Sequence, residues 1–170
     1  MPYPRNAGRF AAMPHRQPNR RISLLFDVFV LNQRLRALLN HTLAGTGLRP
    51  DEYAVYSVLF EAGRLTPTEM ATQLATPLTT VLDYLRTMTE RGHLARTPTP
   101  RDSRSYQVGL TADGEQAQRR ASVAWNAAVG PLEAALEVPI GDVRLALQAL
   151  DVAAVAAIDN LRDEALRQTG

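Results

Sequence analysis

From Ile22 to Leu43 apolar side chains recur at helical spacing, and they do so on two sides at once. Leu24, Val28, Leu31, Leu35 and Leu38 make one stripe in steps of four and three, while Ile22, Leu25, Phe26 and Phe29 make a second. An apolar face so wide exceeds what one partner surface covers, so this helix is expected to face its own domain and something else as well. Gly45 and Gly47 break the chain. Leu48-Arg49-Pro50-Asp51 then opens a helix through Ala62, with Tyr53, Val55, Tyr56, Val58 and Leu59 on its apolar side and Gly63 at its end.

The stretch from Leu65 to Gly114 is more specific. Thr66-Pro67-Thr68-Glu69 carries a Thr cap, Pro at the first helical position and Glu placed to bond back to the cap. Met70, Ala71 and Leu74 give a short amphipathic helix, and Thr76-Pro77 starts another almost at once, leaving room for only a tight turn. That second helix has Val81, Leu82, Leu85 and Met88 at helical spacing and stops at Gly92. Leu94 to Thr97 and Ser105 to Leu110 alternate as two short strands would, around a charged tip running from Pro98 to Arg104. Two closely joined helices followed by a hairpin predict a winged helix-turn-helix, a fold that can set one helix in a major groove.

Beyond the hairpin, Thr111 is expected to cap a long helix with Asp113 and Glu115 in its first turn. Its apolar seam is Ala117, Ala121, Trp125, Ala128, Leu132 and Leu136, with a kink or break expected at Gly130-Pro131. Pro139 to Asp142 opens the last helix, whose seam is Val143, Leu147, Leu150, Ala154, Ala157 and Leu161. Neither terminal helix has enough domain around it to cover its apolar width, which predicts a homodimer built from the N- and C-terminal helices. The fold class is therefore mainly α with a small β-wing, the winged helix-turn-helix being flanked by dimerisation helices. The expected division is a disordered leader at 1–21, a first dimerisation helix at 22–47, a DNA-binding domain at 48–110 and C-terminal dimerisation helices at 111–170.

Five features in order make the chain resemble the MarR family (multiple antibiotic resistance regulators) over roughly residues 22–166. They are a helix ending Met88-x-x-x-Gly92, then Leu94 and Arg96, a wing with Asp102-x-Arg104, and Val108-x-Leu110-Thr111-x-x-Gly114. The resemblance implies a ligand-responsive regulator that dimerises through its end helices. It also implies a small-molecule pocket between those helices and the DNA reader, for which Phe29, His41, Tyr53, Tyr56 and Trp125 are candidates beside the plainer reading that they are core. The redox-sensing branch of the family oxidises a cysteine, and this chain has none.

Charge sharpens this picture. The net charge is only +2, but residues 1–21 carry five Arg and no acid, residues 64–106 sum to +2, and residues 107–170 sum to −4. A chain that docks one face on phosphates should be divided in this way. The leader fits either a solvated tail or an arginine arm lying on DNA. All 19 basic residues are arginine, most simply the mark of a GC-rich genome. The absence of cysteine removes disulfides and thiolate metal sites, and it fits the cytoplasm. His15, His41 and His93 are scattered without ligand spacing, so no metal and no cofactor is expected. No apolar run approaches membrane-spanning length. Nothing supports an enzyme.

Double-stranded DNA is the expected partner. On the second reader helix Thr79, Thr80, Asp83, Arg86 and Thr87, with Pro77 at the tip, form the leading polar face. Threonine and arginine can bond base edges or phosphates, and Asp83 can accept from a cytosine amino group or orient Arg86 or Arg104. In the wing, Arg101, Asp102 and Arg104 suit a narrow minor groove, with Asp102 holding a guanidinium extended. Ser103 stands where relatives carry a further arginine, and Thr99 where a second Asp is frequent. The rival reading is a winged-helix module that docks on protein and has lost DNA binding.

Overall fold

The computed structural model describes residues 23–99 and 102–169. In chain order the elements are α1 (Leu24–Leu43), α2 (Pro50–Ala62), α3 (Pro67–Gln73), α4 (Leu78–Glu90), β1 (Leu94–Thr99), β2 (Asp102–Leu110), α5 (Ala112–Ala134) and α6 (Ile140–Thr169). The leader, Ile22 and the wing-tip residues Pro100 and Arg101 lie outside the described residues.

The core gathers where α2, α3, α4 and the hairpin meet. Tyr56, Leu59 and Val55 from α2, Met70 from α3, Val81, Leu85 and Met88 from α4, and Val108 from β2 are all essentially inaccessible to water. Full burial of one such side chain is worth about 1.5–3 kcal/mol. The long helix α5 closes this cluster with Ala117 and Ala121, small enough to let α2 approach. Its other side packs on α1.

β1 and β2 form an antiparallel ribbon in which Leu94 pairs with Leu110 and Pro98 with Tyr106. Leu65 adds a short bridge, exchanging both backbone hydrogen bonds with Val108 at 3.0 and 2.8 Å. The strands run further than Leu94–Thr97 and Ser105–Leu110, so part of the expected tip is paired. Pro98 has no N–H to donate, and the register shifts between Pro98 and Thr99, bringing Thr99 opposite Asp102.

Two other expectations give way. Of the kink or break expected at Gly130-Pro131, the break does not form: the helix continues through Ala134 with the proline inside it. A proline removes one helical hydrogen bond, and here it does so in the last turn, where few bonds remain to be lost. Leu82, expected on the seam of α4, is exposed, because it lies a quarter turn away from the line through Val81, Leu85 and Met88.

The end of β2 explains the Leu-Thr-x-x-Gly pattern. Thr111 caps α5 by accepting from the Gly114 N–H at 3.2 Å, and its hydroxyl donates to the Gly92 carbonyl at 2.8 Å. Its own N–H donates to the His93 carbonyl at 3.1 Å. These bonds draw the first turn of α5 onto the end of α4, and a Cβ on Gly114 would sit 2.3 Å from the His93 carbonyl oxygen. Gly92 turns the chain there with φ +72°.

α6 stands apart. Of residues 140–168 only Val143 and Leu150 are even half-buried, and Leu145, Leu147, Val152, Val155, Ile158, Leu161 and Leu166 are exposed. Among the described residues no helix is long and apolar enough to cross a membrane.

The Gly114 contact yields a test. Gly114→Ala forces backbone apart, so it should cost roughly 1–3 kcal/mol, whereas Gly130→Ala meets open space within a helix and should stabilise or change little. Urea midpoints of the two variants check this, and equal midpoints would contradict it.

Candidate nucleic-acid interface

The helix-turn-helix is built from local chemistry. Thr66 accepts from the Glu69 N–H at 3.2 Å, and the Glu69 carboxylate accepts from the Thr66 N–H at 2.7 Å and its hydroxyl at 2.8 Å. Those bonds hold the Glu69 carboxyl below its usual pKa. α3 stops after Gln73 because Ala75 swings to φ +47°. Only glycine takes that region at little cost, so the tight turn is bought with some strain. The Thr76 hydroxyl donates to the Leu74 carbonyl at 2.9 Å rather than capping α4. Pro77 is therefore the cap position itself, one residue earlier than expected of a first helical proline, and α4 begins at Leu78.

α4 has two faces. Val81, Leu85 and Met88 are spent in the core. Directly opposite runs Thr79, Asp83, Arg86 and Glu90, all exposed, with Thr80 and Thr87 half-buried on one flank. Arg86 lies 3.2 Å from Asp83 in an ion pair in which both side chains are about two-thirds or more exposed (71% and 68%). Asp83 thus orients Arg86, one of the options open to it from sequence. The Thr87 hydroxyl is taken up by the Asp83 carbonyl at 3.2 Å. Thr79 and Thr80 make no side-chain hydrogen bond among the described residues. Pro77 is exposed at the tip.

The far end of α4 is clamped by a group the sequence reading missed. Glu52, in the first turn of α2, is 2% exposed. One carboxylate oxygen accepts from the Arg49 N–H at 2.9 Å, and the other lies 3.1 Å from the Arg91 guanidinium as an ion pair, not as a well-aligned hydrogen bond. Beside it the Tyr56 hydroxyl meets His93 Nδ1 at 2.8 Å. Burial pushes the Tyr56 phenol above its ordinary pKa, with the nearby Arg91 pulling the other way. The spacing of Arg49 and Glu52 was the one local signal of this cluster.

In the wing, Arg96 lies over the Tyr106 ring at 5.1 Å. Arg101, and the side chains of Asp102 and Arg104, lie outside what is described.

The five residues expected in one small-molecule pocket are not brought together within a chain. Tyr53 and Trp125 do meet, ring centroids 4.8 Å apart, in a cleft of about 610 Å³ between α2 and α5. There the Tyr53 hydroxyl bonds Ser122 Oγ at 3.0 Å, which accepts from Gln118 at 2.9 Å. Tyr56 is wholly buried in the core instead. His41 lines a separate groove of about 670 Å³ between α1 and α5, with Leu38, Ala124 and Ala128. Phe29 is exposed on α1 beside Phe26. Periodicity put four of them, all but His41, on apolar faces but could not say which faces meet.

No family model matches the chain. It is 26% identical over 96 residues to the HTH-type transcriptional repressor YetL of Bacillus subtilis, a match covering 55% of this chain and 58% of that protein. It is 30% identical over 87 residues to the multiple antibiotic resistance protein MarR of Salmonella typhimurium, covering 51% and 60%. The chain thus spans about three fifths of the length of the curated relatives it matches. Its backbone resembles the M. tuberculosis transcriptional regulator MOSR solved with DNA, with a TM-score of 0.71 at 21% identity over 80% of this chain and 98% of that one. A mutant MarR of E. coli complexed with operator DNA gives a TM-score of 0.68 at 22% identity over 79% and 96%.

The clamp predicts an alkaline response. Tyr56 stays neutral in the fold to a higher pH than in the unfolded chain, so its share of stability is whole below pH 10 and drains away as pH rises beyond it. Tyr56→Phe should cost about 1 kcal/mol at neutral pH by leaving His93 unpaired, and should make the alkaline loss shallower. Urea denaturation between pH 8 and about pH 11 reads both effects, and an unchanged alkaline slope would remove Tyr56 as its source.

Proposed function

We propose that this chain, which has the winged-helix fold of the MarR family, is a DNA-binding transcriptional regulator that works as a homodimer. The observation that carries the reading is α4: one face is consumed by the core while the opposite face presents Thr79, Asp83 and Arg86 to solvent beside a two-stranded hairpin. Its leading residues Pro77, Thr79, Thr80, Asp83, Arg86 and Thr87 enter a major groove, and Arg101, Asp102 and Arg104 of the wing serve the adjacent minor groove. The DNA complexes of the structurally similar MOSR and MarR support this reading.

The dimer follows from α6. A thirty-residue helix with an exposed apolar seam is not stable alone in water, and it takes its cover from a second copy. On this division residues 48–110 read DNA, while 22–47 and 111–170 join two chains. Two readers then fall about 34–36 Å apart on one face of a pseudo-palindromic site. Repression is the mode in keeping with the repressor YetL, and such a regulator works in the cytoplasm. The effector is a small molecule seated in the cleft walled by Tyr53 and Trp125, where it touches both α2 and α5. A ligand there that prefers one reader spacing shifts the population towards it.

A labelled duplex from the chain's own upstream region, titrated at two salt concentrations against a scrambled duplex, tests the DNA reading by fluorescence anisotropy. Preference for the native duplex, with affinity falling steeply as salt rises, is expected; equal weak binding to both would overturn it. Leu150→Arg puts an unpaired charge into the proposed seam, at a cost of several kcal/mol. Sedimentation equilibrium should then find monomer, and a folded dimer would place the seam elsewhere.

A further inference from the structure

We infer that Asp83 and Arg86 act as one unit that selects a C·G base pair in the half-site, and that Asp83 suppresses binding to other DNA. This rests on the reading of α4 as the helix that enters the groove. The outward stripe of α4 holds two acids, Asp83 and Glu90, against a single base, Arg86, so the face that meets a polyanion carries no surplus positive charge. Contact with phosphates alone cannot hold such a face in place. Asp83 sits in the second turn, one turn behind Thr79, where side chains of a reading helix point at base edges.

A carboxylate only accepts hydrogen bonds, and the major groove offers it two donors, the amino groups of cytosine and adenine. Adenine N6 stands beside the acceptor N7, which repels the second carboxylate oxygen; cytosine N4 has no such neighbour. On the same base pair, guanine presents O6 and N7, both acceptors suited to a guanidinium. Asp83 already holds Arg86 at 3.2 Å, so the two side chains offer an acceptor and a donor side by side. The major-groove edge of a C·G pair offers the complementary donor and acceptors. An A·T pair also offers a donor, adenine N6, but acceptors flank it on both sides (N7 and thymine O4). The carboxylate is then crowded by like partial charge, and the guanidinium loses the adjacent pair of acceptors that guanine presents. C·G is favoured on both counts, which is how a site rejects wrong sequence as well as accepting right sequence.

Selection from a random duplex pool with the full chain, followed by titration of the enriched sites, tests this. The wild-type chain should enrich sites with a fixed C·G pair in each half, and swapping that pair for T·A should weaken binding roughly ten- to a hundred-fold. Asp83→Ala should lose preference at that position alone while its affinity for unselected duplex rises. Asp83→Asn, an amide that pairs with adenine, should move the preference towards A·T. Thermal melting of both variants should match the wild type, since the replaced side chain is exposed. Enrichment in which Asp83→Ala selects the same sites as the wild type would overturn the inference and leave the DNA reading intact. Failure of the wild-type chain to enrich any sequence would overturn both.

Discussion

A carboxylate sealed from water in the first turn of α2 has to be paired, and the pairing of Glu52 decides how α4 hangs on the rest of the chain. Its local partner is the Arg49 N–H, which any helix start could supply. Its distant partner is Arg91, the residue that terminates α4. Removing one member of a buried pair leaves an uncompensated charge, and such losses run to several kcal/mol. The N-terminal dipole of α2 adds to the carboxylate's stabilisation. Tyr56 and His93 extend the same joint, and the His93 carbonyl in turn receives the Thr111 N–H at the head of α5. One buried acid therefore sits at the junction of α2, the end of α4 and the start of β1, with α5 one hydrogen bond away.

That arrangement accounts for what the sequence could and could not show. The Thr66–Glu69 capping box, the Thr111 cap, and the stop at Gly92 are written in neighbouring residues, and each forms as the local pattern implies. The two faces of α4 were legible because burial and exposure repeat with the helix period, Leu82 excepted. The Glu52–Arg91 pair joins residues 39 positions apart, and no spacing rule reports it. The same reason scattered the expected pocket: Tyr53 and Trp125 met, whereas Tyr56 turned into the core and His41 into another groove. That Pro131 makes no break was not legible, because its cost depends on how close the helix end lies, which only the closing turn at Ala134 reveals.

α5 is the element through which a dimer and a reader would communicate. Its first turn is locked to the end of α4 through Thr111 and Gly114, and its middle carries Gln118, Ser122 and Trp125 into the cleft against α2. Farther along, Ala124 and Ala128 face the groove shared with α1. A shift of α5 relative to α2 would thus move the reader and disturb the cleft together. The hydroxyl of Ser57, buried in that cleft with no hydrogen-bond partner among the described residues, marks a place where a ligand group could gain a bond.

The charge on α4 sets the terms on which such a reader can work. A face rich in arginine binds any duplex well and gains discrimination only as a small surplus over that background. Asp83 neutralises Arg86 in free solution, and on the proposed reading it reverses the balance by opposing phosphate wherever the bases beneath offer it no donor. Non-specific affinity then has to come from basic groups away from α4, and residues 1–21, with five Arg and no acid, are the largest such reserve in the sequence. On the proposed reading, positioning on the backbone and reading of the bases would fall to different segments, so a change in one need not carry the other with it.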